Sequence, residues 1–150
     1  MLVACGLGLV GVATVGPGLI PFIAIGPLLV LGYNLELFGG WIHTDLGFAA
    51  AWGGFPVLVG YFVQAGRVDL TAALAAVAAL AFSLAQRALS TPARTIRRRV
   101  AHIDGSIALN DGDVQVLSEP ILLKPLERAL SSLSWAMVAL ALALVAARVF

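Results

Sequence analysis

The feature that most constrains this chain is the distribution of its charged residues. The first 32 residues contain no charged side chain, and the first lysine or arginine is Arg67. Eleven of the seventeen charges (nine basic and eight acidic in all) lie between positions 94 and 128, with long charge-free tracts on either side. A water-soluble domain of 150 residues needs many more polar side chains to cover its surface. The distribution therefore predicts an integral membrane protein with one polar segment.

Several apolar tracts have the length of a membrane span. A transmembrane helix needs about 20 apolar residues to cross about 30 Å of hydrocarbon. Residues 46–65, 69–89 and 131–150 meet that length, and the alanine-rich 69–89 tract also has strong intrinsic helix propensity. The sequence therefore predicts an all-α, polytopic bundle of transmembrane helices.

The first 33 residues allow two interpretations. The sequence GPGLIP at positions 16–21 places two prolines and two glycines inside an apolar tract, which breaks or sharply kinks a helix. One interpretation is a single kinked span, which gives four spans in all. The other is a hairpin of two short helices at about 1–15 and 19–33, which gives five.

The orientation of the chain is predicted from its arginines. Four of them lie within six positions just after the 69–89 tract and are called the arginine cluster: Arg94, Arg97, Arg98 and Arg99. By the positive-inside rule this cluster is cytoplasmic. The 90–130 segment has too little apolar surface for a core and is predicted as a cytoplasmic polar loop, in which residues 107–119 can pair as a small hairpin. Counting back through the spans, the 34–45 loop lies on the same side.

One tract resembles a known membrane-protein family. Residues 46–66, LGFAAAWGGFPVLVGYFVQAG, resemble the fifth transmembrane helix of the UbiA superfamily of intramembrane prenyltransferases. Residues 28–34, LLVLGYN, are similar to the end of that family's fourth helix. The matching residues in the first tract are Phe55, Pro56, Val57, Leu58, Gly60, Tyr61, Val63, Gln64 and Gly66. The resemblance implies a partial UbiA-like helical bundle, and a family activity that transfers a prenyl group from its diphosphate with magnesium ions held by two aspartate-rich motifs.

Both motifs are missing from the positions where the resemblance would place them. The first would precede the family's third helix, with which this chain is expected to begin. The second would lie near residues 86–95, where the sequence QRALSTPART has no carboxylate. The resemblance therefore implies a fragment or a diverged relative that binds an isoprenoid or lipid without magnesium-dependent prenyl transfer. Magnesium would act only if upstream helices supplied an aspartate motif, so prenyltransferase-like activity is left open.

The 34–45 loop supplies the first group of candidate binding residues. Tyr33, Asn34 and Glu36 lie where the resemblance places the family's acceptor-side loop, and we expect them to contact a substrate. The alternative is that these residues form only a hydrated turn between two apolar helices.

The polar segment supplies the second group. The arginine cluster can bind a phosphorylated lipid head directly, with guanidinium in place of metal. The alternative is that the cluster only fixes orientation and attracts anionic headgroups, at about 1 kcal/mol per residue. Asp111 and Asp113, in the sequence NDGD, are the weak candidates for a metal site, and a plain turn is the favoured interpretation of this sequence.

The expected partners follow from charge and composition. The net charge of +1 and the absence of a basic stripe with interleaved aromatic residues argue against nucleic acid. A membrane lipid or isoprenoid is the expected ligand. The rival class is a non-enzymatic membrane subunit that packs against a second copy or another membrane protein through its glycine- and alanine-rich faces.

Overall fold

The computed structural model describes residues 2–149, without the side chains of Leu2, Ala4, Cys5, Phe38 and Val149. Helix accounts for 78% of the chain, so the predicted helical class is confirmed, with one short β-hairpin added. The helices are α1 (Leu2–Val15), α2 (Ile20–Asn34), α3 (Asp45–Ala49), α4 (Phe55–Ala65), α5 (Leu70–Arg99) and α6 (Glu119–Val149). Shorter elements are 3₁₀ turns at Pro17–Leu19 and Phe38–Gly40, a π-helical turn at Ala50–Gly54, and strands β1 (Ser106–Ala108) and β2 (Val114–Val116).

Within residues 2–149, four helical stretches are long and apolar enough to cross a membrane, judged by length and composition. They are Pro17–Asn34, Asp45–Ala65, Leu70–Arg99 and Glu119–Arg148. The apolar part of α1, Gly6–Val15, is shorter than these. Met1 and Phe150, at the ends of the predicted spans 1–15 and 131–150, lie outside the described residues.

The chain forms two compact units with a boundary after Leu84. In the first unit, α1 and α2 form a hairpin and not one kinked span. The chain reverses at Gly16, whose φ of 113° favours glycine. A Cβ at Gly8 would lie 3.0 Å from the side chain of Ile23, and one at Gly11 would lie 2.8 Å from Leu19, so the two helices are in close antiparallel contact.

Helix α2 also packs antiparallel to α4. The Phe22 ring lies 5.2 Å from the ring of Phe62 and 6.1 Å from that of Phe55, measured between centroids. A Cβ at Gly18 would lie only 2.5 Å from the Phe62 ring. The glycine at this position therefore lets the phenylalanine of α4 lie against the backbone at the start of α2.

The π-helical turn between α3 and α4 accommodates a proline. Pro56 has no backbone N–H, and its ring would collide with the carbonyl four residues earlier in a regular α-helix. The wide turn at Ala50–Gly54, in which the N–H of Phe55 donates to the carbonyl of Ala50, relieves that collision. The helical path thus continues from Asp45 to Ala65.

The same turn lies closest to α5. A Cβ at Gly53 would lie 2.7 Å from the carbonyl oxygen of Ala79 and 2.9 Å from Ser83. Ala49 and Ala72, on either side of this crossing, have no exposed surface. Small residues therefore bring the two backbones into the close contact that is common between apolar helices.

This close crossing predicts different effects for two glycine substitutions. Gly53→Ala should lower the free energy of unfolding by about 1–3 kcal/mol, because the new methyl group overlaps the α5 backbone. The matched control is Gly60→Ala, where no atom lies within 4 Å, so the added helix propensity should leave stability equal or higher. Unfolding in detergent, followed by circular dichroism, measures both; equal stabilities would contradict the crossing.

Asp69 joins α4 to α5 at the turn after Gly66. Its carboxylate accepts hydrogen bonds from the backbone N–H of Ala72 at 3.1 Å, the Tyr61 hydroxyl at 2.9 Å and Arg67 Nε at 3.0 Å. The Ala72 N–H is the main cause that holds the pKa of Asp69 below its usual value, with Tyr61 and Arg67 adding to it and partial desolvation opposing. Asp69 is thus the N-cap of α5.

The lowered pKa predicts an acid-dependent loss of stability. A carboxyl with a depressed folded-state pKa stabilises the fold above its usual value of 3.8 and loses that effect as pH falls through the folded pKa. Asp69→Asn keeps a capping oxygen and removes the charge. Wild type should therefore be more stable than the variant near neutral pH and equal to it well below pH 3.8. A difference in melting temperature that persists at the lowest pH would contradict this assignment.

The second unit contains the end of α5, the β-hairpin and α6. Strands β1 and β2 pair antiparallel, with Ser106 opposite Val116, and the N–H of Leu117 donates to the Gly105 carbonyl at 3.0 Å. Beyond the strands, Arg97 pairs with Glu127. The helix ends thus continue the antiparallel register of the hairpin.

The segment 90–130, predicted as a polar loop, is largely ordered secondary structure. Helix α5 continues ten residues past the predicted span end at 89, and α6 begins at Glu119, twelve residues before the predicted start at 131. Hydropathy marks where a helix leaves hydrocarbon, not where it ends. Arginine is a good helix former and is favoured near a helix C-terminus, so α5 extends to Arg99.

Candidate functional site

The structure divides the arginine cluster at the end of α5. Arg97 is paired with Glu127 of α6. Within residues 2–149, Arg94, Arg98 and Arg99 form no ion pair. All three are exposed. One of the four cations is therefore neutralised locally, and three are left uncompensated.

The three unpaired arginines share one side of α5 with two hydroxyl groups. A shallow groove of about 380 Å³ is lined by Thr91, Arg94, Thr95, Arg98 and Arg99, which together are called the cation face. Because an α-helix has 3.6 residues per turn, positions 91, 94, 95 and 98 fall on neighbouring parts of the surface. The cation face contains hydrogen-bond donors and no carboxylate.

A second groove lies between α5 and α6 within the same unit. It has a volume of about 410 Å³ and is lined by Ser90, Ala93, Arg94, Arg97, Arg98, Glu127 and Leu130. Arg94 and Arg98 border both grooves, but only this one contains a carboxylate. The charged side chains that an anion would contact are therefore all cationic in the first groove, and both cationic and anionic in the second.

The candidate residue Tyr33 belongs to an aromatic cluster. Tyr33 is only 8% exposed, and its ring stacks on that of His43 with the centroids 4.5 Å apart. The Trp52 ring packs edge-on against it, with the centroids 4.8 Å apart. Nδ1–H of His43 donates to the Tyr33 carbonyl at 2.9 Å. Phe48 stacks on Trp52 at 5.2 Å, so Tyr33 holds the loop against the start of the next helix.

Sequence reasoning missed this cluster. The available signal was the four-residue spacing of Phe48 and Trp52, which places two aromatic rings on one helical face behind Tyr33.

Asn34 and Glu36 form the end of α2. The side-chain amide of Asn34 donates to the Val30 carbonyl of its own helix at 2.8 Å. Glu36 has φ of 49°, a left-handed conformation that usually requires glycine. The N–H of Leu37 donates to the Gly32 carbonyl at 3.1 Å and that of Glu36 to the Tyr33 carbonyl at 3.4 Å, which is the Schellman pattern.

The strained conformation at Glu36 predicts a stabilising substitution. Glu36→Gly should raise the free energy of unfolding by about 0.5–1 kcal/mol, because glycine adopts positive φ without steric cost. Glu36→Ala is the control, since it removes the carboxylate but keeps the strain. Thermal unfolding in detergent measures both variants. An equal gain from alanine would assign the effect to the charge and contradict the backbone explanation.

The two weak metal candidates lie in the turn of the β-hairpin. The Asp111 carboxylate accepts the backbone N–H of Asp113 at 3.1 Å, and Gly112 has φ of 93°. In the part of the chain that the structure describes, no three His, Cys, Asp or Glu side chains come together as metal ligands. The magnesium chemistry implied by the resemblance does not fit these residues, because the two aspartates serve the turn and residues 86–95 contain no carboxylate.

Comparison with known proteins identifies no relative: no family model, no curated protein and no solved structure matches this chain. The likeness of residues 28–34 and 46–66 to prenyltransferase helices is therefore a prediction that rests on those residues alone.

Proposed function

We propose that this chain is an integral membrane protein that binds a phosphorylated lipid, either a glycerolipid or an isoprenoid, through Arg94, Arg98 and Arg99. One observation carries the proposal: three uncompensated guanidinium groups lie together just beyond the apolar part of α5. Unpaired cations at that level match the phosphate groups of lipid heads in charge and in position.

Helix lengths support the placement of these arginines in the headgroup layer of the membrane. The stretch of α5 from Leu70 to Leu89 has twenty residues and is about 30 Å long, the thickness of a hydrocarbon core, and its one charged residue is Arg87, near its end. Arg94 lies about 7 Å further along the helix axis, in the headgroup layer. In α6 the stretch from Leu130 to the end of the helix has the same length. Since Ala93 and Leu130 line one groove, the apolar stretch of α6 ends about 6 Å from the level of Leu89.

The topology of the proposal follows the arginine distribution. We place the 90–130 segment and the 34–45 loop on the cytoplasmic side, because the arginine cluster is the main basic segment of the chain. The cytoplasmic leaflet carries the anionic lipids that a cationic face attracts.

The proposed chemistry is recognition without prenyl transfer. A guanidinium presents paired N–H donors that match phosphate oxygens in a bidentate geometry, so it binds phosphate without a metal. Diphosphate departure in the family that residues 46–66 resemble depends on magnesium, for which this chain offers no ligand set among residues 2–149. We therefore propose a lipid-binding relative of that family without its transfer reaction.

Replacing the unpaired arginines tests the proposal. The triple change Arg94→Ala, Arg98→Ala, Arg99→Ala should weaken binding of an anionic lipid about a hundredfold, since each cation near an anionic surface contributes about 1 kcal/mol. Fluorescence anisotropy of an acyl-chain-labelled anionic lipid, titrated with detergent-solubilised protein, measures the dissociation constant.

The matched control removes the paired charges. Arg97→Gln with Glu127→Gln leaves the net charge unchanged and the cation face intact, so binding should stay within about twofold of wild type. Unchanged binding in the triple variant, or an equal loss in the control, would contradict the proposal.

The second candidate function, a non-enzymatic membrane subunit, is favoured by α6. Every residue from Ser134 to Arg148 is exposed, including Trp135, Leu142 and Leu144. A second copy or a membrane partner would cover this surface through helix packing. Lipid binding that is unaffected by the triple arginine change, together with efficient cross-linking from cysteines placed in α6, would favour the subunit over the lipid-binding protein.

A further inference from the structure

We infer that the cation face selects lipids whose head ends in a terminal phosphate over lipids whose phosphate is a diester. This inference rests on the proposed lipid-binding function and adds the chemical class of the headgroup. Charge balance, donor geometry and the contrast between the two grooves support it independently.

The charge balance favours a dianion. Pairing with Glu127 cancels Arg97, while Arg94, Arg98 and Arg99 have no counter-ion in the described chain. No carboxylate lines the cation face. A phosphate diester carries one negative charge, whereas a phosphate monoester carries about 1.5 to 2 near pH 7. The monoester therefore compensates more of the exposed positive charge.

The donor arrangement favours an anion with three free oxygens. Arg94 and Arg98 are one helical turn apart, as are Thr91 and Thr95, with about 5–6 Å between the Cβ atoms of each pair. No hydrogen bond to a described residue occupies either threonine hydroxyl. Two guanidinium groups and two hydroxyls can thus converge on one phosphate. A terminal phosphate offers three oxygens to these donors, and a diester offers two.

The lining of the second groove explains why we expect the phosphate to lie on the cation face, beside Thr91 and Thr95. There Glu127 faces the same two arginines, Arg94 and Arg98, from α6. A dianion in that groove would be repelled by the Glu127 carboxylate or would have to displace it from Arg97. On the cation face neither cost arises, so Thr91 and Thr95 become the residues that distinguish one phosphate class from another.

Competition binding with the full chain tests the inference. Unlabelled lipids compete with a labelled anionic lipid for the detergent-solubilised protein: dioleoyl phosphatidate, a polyprenyl monophosphate, and dioleoyl phosphatidylglycerol as the diester of equal acyl chains. Of the two lipids with a terminal phosphate, we expect the tighter-binding one to bind about tenfold more tightly than the diester, because a terminal phosphate adds close to one charge and one acceptor oxygen. Tighter binding of phosphatidate identifies a glycerolipid, and tighter binding of the polyprenyl monophosphate identifies an isoprenoid; either supports the inference.

The double variant Thr91→Val, Thr95→Val tests the residues. Valine keeps the shape of threonine and removes the hydroxyl, so affinity for the terminal phosphate should fall at least threefold more than affinity for the diester. The Arg97→Gln, Glu127→Gln control should keep the full preference.

The failures are distinguishable. Equal affinity for both phosphate classes, each above that for phosphatidylcholine, would overturn the inference and leave the lipid-binding function standing. Affinity for every anionic lipid no higher than for phosphatidylcholine would overturn both. If the threonine variant still prefers the terminal phosphate to the same extent, the proposed role of the hydroxyls is wrong, while the proposed class of headgroup still stands.

Discussion

Hydrocarbon does not tolerate unpaired charge, and this constraint determines where the two longest helices can carry their cations. In α5 and α6 a stretch of about 30 Å is almost wholly apolar, with one arginine near an end of each, Arg87 and Arg148. The arginine cluster lies beyond this stretch of α5. The antiparallel register set by β1 and β2 brings Arg97 opposite Glu127 and neutralises one arginine. What remains is a face with positive charge only, at the level where we propose that lipid phosphate lies.

In the first unit the corresponding constraint is on the backbone, which must hydrogen-bond within its own helices when no water is near. The glycines and prolines that would break a regular helix are accommodated by local changes in the path of the chain. The chain reverses at Gly16, and a wide turn precedes Pro56. Glycine then allows close helix contacts at Gly8 and Gly53. The result is a set of closely packed helices with large apolar outer surfaces, suited to a lipid environment.

The sequence predicts much of the fold and less of the site, for physical reasons. Apolar length alone predicts the helices that are long enough to cross a membrane. The prolines and glycines in GPGLIP permit either a kink or a hairpin, and only the packing of Gly8 on Ile23 decides between them. Hydropathy cannot predict that α5 continues to Arg99, because exposed helix beyond the hydrocarbon has no apolar signal. The division of the arginine cluster depends on Glu127, thirty positions from Arg97, and no local pattern reveals it.

Direct contact between lipid phosphate and these guanidinium groups can be measured by magnetic resonance. Solid-state NMR with dephasing between lipid ³¹P and arginine side-chain ¹⁵N, on the full chain in anionic bilayers, reports guanidinium groups in contact with phosphate. Lipid binding by Arg94, Arg98 and Arg99 predicts strong dephasing that is largely lost when these three are replaced by lysine, and retained when Arg97 is replaced. Dephasing that is absent, or unchanged in the triple lysine variant, would contradict it.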